Sequence, residues 1–553
     1  MEIKFKRVLS PNFFVVSKSY YQNFDRGIII FDHNIIKVYV EPEELEKKAE
    51  EKIKDFTQDL SRFEKERDEI ILLYDEVERW ARGLRRKGFE DLTDDEVTGI
   101  LIETKNWFEK IGKSICIFPL PLEERFSRHL MEEKGISGSR YSGILAAISS
   151  PPEESLALKA EMELLKIACE IIENEELRKR IMEVVSERLE KFPYGSYWLM
   201  RGYVVDAILG EIYKNEKIRK RIDEYVFNYG SIYYDYGNEE LLDENLINGA
   251  LINETGKRSE LKFKVYQKLL GNIIEQNARI HLMIKGADKG RRERVFEKYL
   301  TDLSIPKDDI YYNYARMLSW GNFLRIKRRE TLTQVDYYIA PLLKKVVIRF
   351  KEKYPESRIE ISDVRFLELE DLISMSRGKK KDYREKVKNL REQWVWIKEG
   401  KKVEEYSGRE AIKYIEKYGE ETQLHKEIVG VIRYSPVEER EITGRARIIL
   451  SHEQIETLRT GDILITLMVH PSFMMSPNYL KYINGCKAIV TEEGTLSCHL
   501  ITLHNELAWS IKPEVPIITD ARHVTDIVND DDQVRIICVK EPPFDKVKIE
   551  VIK

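Results

Sequence analysis

The chain divides by the period of its apolar positions. Residues 27–31 (GIIIF) and 35–39 (IIKVY) are two short apolar runs around Asp32, His33 and Asn34, the turn chemistry of a β-hairpin. From Pro42 the period changes. Leu45, Ala49, Phe56, Leu60, Phe63, Ile70, Tyr74 and Val77 recur at steps of roughly three and four, which predicts one long helix with a near-heptad seam. Such a seam serves a partner-binding coiled coil or one arm of an intramolecular helical hairpin, and the second reading is preferred. From about residue 90 to 290 the pattern stays helical and charged. Thr93 begins a helix at capping-box spacing to Glu96, and Ser149 precedes prolines that suit a first turn. A further pair of helices is expected over 309–348, and 377–428 again reads as charged and helical. Residues 428–442 read as a linker. The expected division from pattern alone is a hairpin and long helix over 1–90 and a helical region over 91–428, with a further unit over 429–553.

Composition narrows this picture. A chain of 553 residues exceeds one core, and 42% apolar with 34% charged residues describes a globular protein. The net charge of −5 gives no electrostatic case for nucleic acid. Five cysteines lack both metal-type spacing and disulfide density, and no basic-then-apolar leader or membrane-length apolar run occurs. A cytoplasmic location is the expectation.

The chemistry concentrates in Thr491–Leu507 (TEEGTLSCHLITLHNEL). The apolar run 487–490 leads into polar and turn-forming residues, then Ser497, an N-cap type, then Cys498 and His499. Leu500, Leu503 and Leu507 follow at helical spacing. His499 is thus expected in the first turn of a helix, where unpaired backbone N–H groups and the macrodipole favour an anion. A neutral imidazole there is a competent nucleophile, and those amides suit a phosphoryl group on it. The bland alternative is a polar histidine near a cap.

Thr491, Gly494, Ser497, Cys498, His499, Glu506 and Leu507 fall without a gap on a motif, so the stretch resembles the phosphohistidine segment of the phosphoenolpyruvate-utilising enzymes. That family includes phosphoenolpyruvate synthase, pyruvate phosphate dikinase and rifampin phosphotransferase. The sequence departs from the pattern at Thr495, Leu500–Ile501 and Asn505. The resemblance continues through 430–436, 444–450, 461–466, the loop 471–477, and the closing runs 515–518 and 532–537. It implies a multidomain chain, mostly α-helical before 429, in which 429–553 is an α/β swivelling phosphohistidine domain. His499 is then the catalytic carrier, and Thr491, Gly494, Thr495, Ser497 and Cys498 hold its phosphate. The helical region loosely resembles the acceptor domain of rifampin phosphotransferase, which makes Arg325, Arg329 and Tyr229 the acceptor-site candidates. In residue terms, Arg325 and Arg329 lie on one helical stripe and suit charge neutralisation, although solvated basic residues are the plainer reading. Tyr229 belongs to an aromatic stretch, 225–237, of the kind that forms a core or lines an organic pocket.

No ATP-grasp or Walker-type pattern occurs in 1–430, and the pyruvate-binding barrel of phosphoenolpyruvate synthase is absent after 553. The resemblance therefore points to the histidine-bearing subunit of phenylphosphate synthase. It implies a dikinase-type phosphotransferase that depends on a separate ATP-grasp partner carrying Mg2+ and ATP. Phosphate would pass through His499 to a hydroxyl of a small organic acceptor, giving AMP and phosphate. No metal site is expected in this chain. The alternative from another class is a non-catalytic binding or regulatory homologue. A small phosphocarrier is disfavoured by the large helical portion.

Overall fold

The computed structural model describes residues 2–6, 18–20, 24–32, 35–114, 119–136, 144–145, 148–149, 151–153, 156–191, 208–233, 269, 291–357, 359–379, 381–423, 428–434, 441–450, 452–467, 483, 485–492, 515–521, 523–539 and 546–552. The described strands are β1 Glu2–Lys6, β2 Arg26–Asp32, β3 Ile35–Val40, β4 Gln393–Glu399, β5 Lys402–Ser407, β6 Ile428–Tyr434, β7 Glu441–Ile448, β8 Asp462–Thr466, β9 Ala488–Thr491, β10 Ile517–Thr519, β11 Gln533–Val539 and β12 Lys546–Ile552. The α-helices are α1 Pro42–Gln58, α2 Leu60–Lys87, α3 Asp94–Lys113, α4 Pro119–Arg128, α5 Leu156–Glu173, α6 Glu175–Lys191, α7 Glu216–Tyr229, α8 Arg291–Asp302, α9 Ile310–Lys353, α10 Leu369–Ser376, α11 Arg384–Glu392, α12 Arg409–Gln423 and α13 Val524–Ile527. The chain is multidomain and mostly helical, with a curled mixed sheet at its C-terminal end. No described helix is long and apolar enough to cross a membrane.

The expected hairpin is β2–β3, paired from Gly27 opposite Val40 to Asp32 opposite Ile35. It belongs to a five-stranded antiparallel sheet ordered β1-β3-β2-β4-β5. The second hairpin, β4–β5, lies where a charged helix was expected. The run WVWI is β-branched and aromatic, and Gly400 turns the chain at φ 58°. Helical charge density on both sides hid a seven-residue strand. One sheet face sends Ile29, Trp394 and Trp396 into the main helical core. The other packs Ile28, Ile30, Val395 and Ile397 against Ala411 of α12. The alternation is the period of two expected of a strand buried on both faces.

The long helix predicted from Pro42 is broken. Asp59 leaves helical geometry at φ −146°, and its carboxylate accepts from the Ser61 amide, so α2 begins with its own cap. The seam residues Phe63, Ile70, Tyr74, Val77 and Ala81 are buried, and α2 packs within the chain against α9. The Thr93–Glu96 capping box forms as expected. Ser149 instead closes a helical turn by donating to Leu145 O at 2.6 Å, and the next described helix starts at Leu156. The pair of helices expected over 309–348 is one 44-residue helix, α9, capped by Asp309. It is buried along most of its length because neighbours cover it on several sides. Helix-spanning burial removes the polar stripe that would have marked a single amphipathic element.

The C-terminal strands close into a barrel in the order β10-β6-β12-β11-β7-β8-β9. The expected linker 428–442 therefore begins as a barrel strand, since β6 pairs with both β12 and β10. Strands β7, β8, β9 and β10 are parallel neighbours. The antiparallel strands β7, β11 and β12 alternate buried and exposed positions along their length, whereas β8, β9 and β10 are buried at every residue.

Two predictions follow from this packing. A Cβ on Gly430 would meet Ile518 Cγ2 at 2.7 Å and Val547 Cγ2 at 3.2 Å inside the barrel. Gly430→Val is expected to destabilise the protein by about 1–3 kcal/mol, read as a lower urea midpoint. On the scaffold, Lys18 reaches Glu368 at 2.8 Å, and Lys386 reaches Asp371 at 2.6 Å and Glu368 at 3.5 Å. Burial alone would raise the Glu368 carboxyl, but Lys18 and Lys386 outweigh it and hold the group below its usual range. A depressed folded value stabilises the native state above the unfolded value of about 4.3, and that stability is lost as pH falls through the folded value. Urea midpoints measured from pH 6 down to 3 should fall less steeply in Glu368→Gln than in the wild type.

Candidate functional site

The parallel strands end in a common pattern: DILIT, AIVT and IIT, each an apolar run closed by threonine. Thr466 lies opposite Thr491 in the β8–β9 pairing, and Thr519 follows Ile518, which lies opposite Val490. The three threonines therefore form one row across the carboxyl ends of adjacent parallel strands, spaced about 4.8 Å apart. All three are buried. The strand period assigns their side. Ile463, Ile465, Ala488, Val490 and Ile518 fill the barrel interior. Leu464, Ile489 and Ile517 belong to a different cluster on the outer face. The threonines are two residues beyond these, so the row continues the outer face. Carboxyl ends of parallel strands are where open α/β sheets and β/α barrels place ligands.

Glu492 extends the end of β9. Its amide donates to Thr466 O at 2.9 Å, and its buried carboxylate accepts from the Thr525 amide at 3.2 Å and from the Thr525 hydroxyl. Ala521 N donates to Thr491 O at 3.1 Å. The chain thus ties the end of β9 to the turn between β10 and α13. In that turn Asp520 and His523 both take left-handed backbone, at φ 57° and 64°. Each such non-glycine residue costs of order 1–2 kcal/mol, so the surrounding bonds must enforce the turn.

Of the sequence-predicted phosphate ligands, Thr491 stands in this row. Gly494, Thr495, Ser497, Cys498 and the carrier His499 lie outside the described residues, as do Leu500 and Asn505. Glu492, Thr466, Thr519 and the Asp520–His523 turn were not singled out from sequence. The signal was present as the threefold repeat of an apolar run ending in threonine.

The acceptor-site candidates occupy α7 and α9. Arg325 and Arg328 on α9 bring positive charge towards the hydroxyl of Tyr20, which burial nevertheless pushes up to about 12. Tyr229 ends α7, tilted against Tyr225 at 5.2 Å. Burial raises its hydroxyl, Glu163 adds to that effect, and Arg82 opposes it. Helix α7 meets α9 where Tyr337 and Tyr338 donate to Val226 O and Phe227 O, both at 3.1 Å. Arg329 lies eight residues earlier on α9 than Tyr337, roughly 12 Å along the axis.

No family model matches the chain. It is 28% identical over 88 residues to a probable phosphoenolpyruvate synthase of Archaeoglobus fulgidus. The match covers 16% of this chain and 10% of the archaeal protein, so the chain spans only a small part of that relative.

Removing the tie at the end of β9 tests how the site is held. Glu492→Ala leaves the Thr525 amide and hydroxyl without their buried acceptor, at a cost of about 1–3 kcal/mol. The expected outcome is a lower melting temperature, together with faster amide exchange at Ala521 and Thr525. Unchanged exchange there would show that the turn is held by other bonds.

Proposed function

We propose that the chain is a phosphotransferase subunit that carries phosphate on His499. The reading rests on the Thr491–Leu507 motif, whose first residue stands in the threonine row where the chain leaves β9. The partial similarity to a probable phosphoenolpyruvate synthase supports the same class of chemistry.

In this reading 429–553 is the mobile carrier, 91–428 binds the acceptor, and 1–90 packs with the acceptor region. A separate ATP-grasp partner binds Mg-ATP and loads His499, with AMP and phosphate as the other products. A hydroxyl of a small organic acceptor then attacks the phosphorus. Helix amides, Thr495 and Ser497 hold the phosphoryl group, and Arg325 and Arg329 supply positive charge during transfer. Positioning and charge neutralisation supply most of the rate. The departures at Thr495, Leu500 and Asn505 favour, as a second reading, a homologue that kept the fold and lost the reaction.

The experiment mixes the purified chain with an ATP-grasp partner and ATP labelled at the β-phosphate. Acid-labile label is expected on the wild type and not on His499→Ala. Absence of label on both proteins overturns the carrier reading.

A further inference from the structure

Helices α2 and α9 run the same way, and their contacts climb in step. Lys327 reaches Asp75 at 3.1 Å and both oxygens of Glu78 at 3.0 Å, Thr331 donates to Glu78, and Lys345 donates to Phe89 O just past the end of α2. Between these levels Arg82 stands over the Tyr338 ring, 5.9 Å from its centroid. One turn further on, Arg86 stands over Phe227 of α7 at 5.4 Å. The two rings belong to one joint, because Tyr338 donates its hydroxyl to Phe227 O. The carboxylates nearby are committed: Glu78 to Lys327 and Thr331, and Glu163 of α5 to Arg221. Neither Arg82 nor Arg86 makes an ion pair among the described residues, and Arg86 is exposed.

Thr331, Gln334 and Tyr338 follow one another on one face of α9 at helical spacing. The first touches Glu78 and the last meets Arg82, so Gln334 between them faces α2 as well. Gln334 lies about 4.5 Å beyond Thr331 along α9, and Arg82 about 6 Å beyond Glu78 along α2, which sets the two side chains level. Gln334 is 2% exposed and its Oε1 has no hydrogen-bond partner; the buried Nε of Arg82 has none either. A buried acceptor and a buried donor thus stand at one level without bonding each other. Buried polar groups ordinarily find partners. A third group that accepts from Arg82 and donates to Gln334 completes both.

We propose that this joint of α2, α7 and α9 binds a phosphate group that keeps one proton. Its anionic oxygens meet Arg82 and Arg86, and its P–O–H donates to Gln334 Oε1. Guanidinium groups match phosphate oxygens and hold them by charge-assisted hydrogen bonds. Charge decides against a neutral ligand, since two guanidiniums one turn apart stand without carboxylates. The need for a donor decides against sulfate and ionised carboxylates, which only accept. The ligand enters on the side of the exposed Arg86. Arg82 is also the positive neighbour of the Tyr229 hydroxyl, which sets the site beside that residue. Free phosphate and a phosphate monoester share this chemistry. The inference concerns binding by this chain alone and does not depend on the carrier reading.

The test titrates the full chain with inorganic phosphate, methyl phosphate and sulfate at pH 5.5 and constant ionic strength, read by calorimetry and by the shift in melting temperature. At that pH a phosphate monoester, with a second pKa of about 6, mostly keeps its last proton. The wild type should bind at least one of the phosphates about tenfold or more tightly than sulfate. Arg82→Gln and the exposed Arg86→Gln should each weaken that binding about tenfold or more. Arg384→Gln, which removes an equal charge from α11, should leave it unchanged. Gln334→Leu should bring phosphate down to the level of sulfate. Tighter binding of inorganic phosphate supports the site and identifies the free ion as its ligand; tighter binding of methyl phosphate supports it and identifies an ester. A folded wild type that binds neither phosphate overturns the site, the gap then holding water alone. Equal affinity for phosphate and sulfate, or unchanged binding in both arginine variants, overturns it as well and leaves an adventitious ion only.

Discussion

The strands β8, β9 and β10 are apolar on both faces, and that double demand for cover organises the C-terminal half of the chain. The inner face is covered by the barrel itself. Val534 and Ile536 of β11, and Val547 and Ile549 of β12, close over Ile463, Ile465 and Val490. The outer face cannot be covered by a closed barrel. Leu464, Ile489 and Ile517 instead join a cluster with Phe56, Phe126 and Met317 of the helical scaffold. Burial of each such side chain contributes about 1.5–3 kcal/mol, so the barrel is held to the scaffold by the same physics that folds it. The threonine row stands at the edge of this covered face. Polar groups at the rim of an apolar contact are where a ligand can meet both bodies.

The scaffold meets its own constraint through α9. A 44-residue helix spans roughly 66 Å, more than one small core is wide, so several elements must share it. Helix α2 lies along it, α4 and α10 pack on it, and Tyr337 and Tyr338 bond to the last turn of α7. Charges that enter this interior are paired. Lys327 reaches both oxygens of Glu78 at 3.0 Å, and Thr331 donates to the same carboxylate. Breaking such a pair from one side leaves a buried charge, which is why α2 and α9 are specified as partners rather than merely pressed together.

Legibility in the sequence followed from how local each signal was. The β2–β3 hairpin and the Thr93 capping box are set by neighbours within a few residues, and both appear where expected. The break at Asp59 was hidden because the seam Phe56, Leu60, Phe63 keeps its helical spacing across it, while the deciding interaction is a single bond to the Ser61 amide. Strand β4 was hidden because its partner, β2, lies more than 360 residues earlier: Ile28 pairs with Ile397. No window on the sequence contains that pairing. The π-helical turn His129–Glu133 that follows α4, where His129 stacks on Tyr311, was invisible for a related reason. Its stacking partner Tyr311 comes from another helix, and a π turn differs from an α turn by one backbone bond rather than by composition.

These constraints bear on how a carrier role would operate. A module that shuttles between two sites cannot be held at one of them by a cover it loses entirely on leaving. The apolar outer face of β8–β10 is too extensive to meet water without cost, so departure from the scaffold requires a second apolar surface to receive it. An ATP-grasp partner that loads His499 would then have to offer such a surface close to its nucleotide. Exchange of one cover for another keeps the two docked states near in energy, and a small difference in affinity is enough to move the population between them. The chain leaves β9 for His499 from the edge of this face, at Thr491 and Glu492. Whichever surface covers Leu464, Ile489 and Ile517 therefore also lies beside the threonine row at the end of β9.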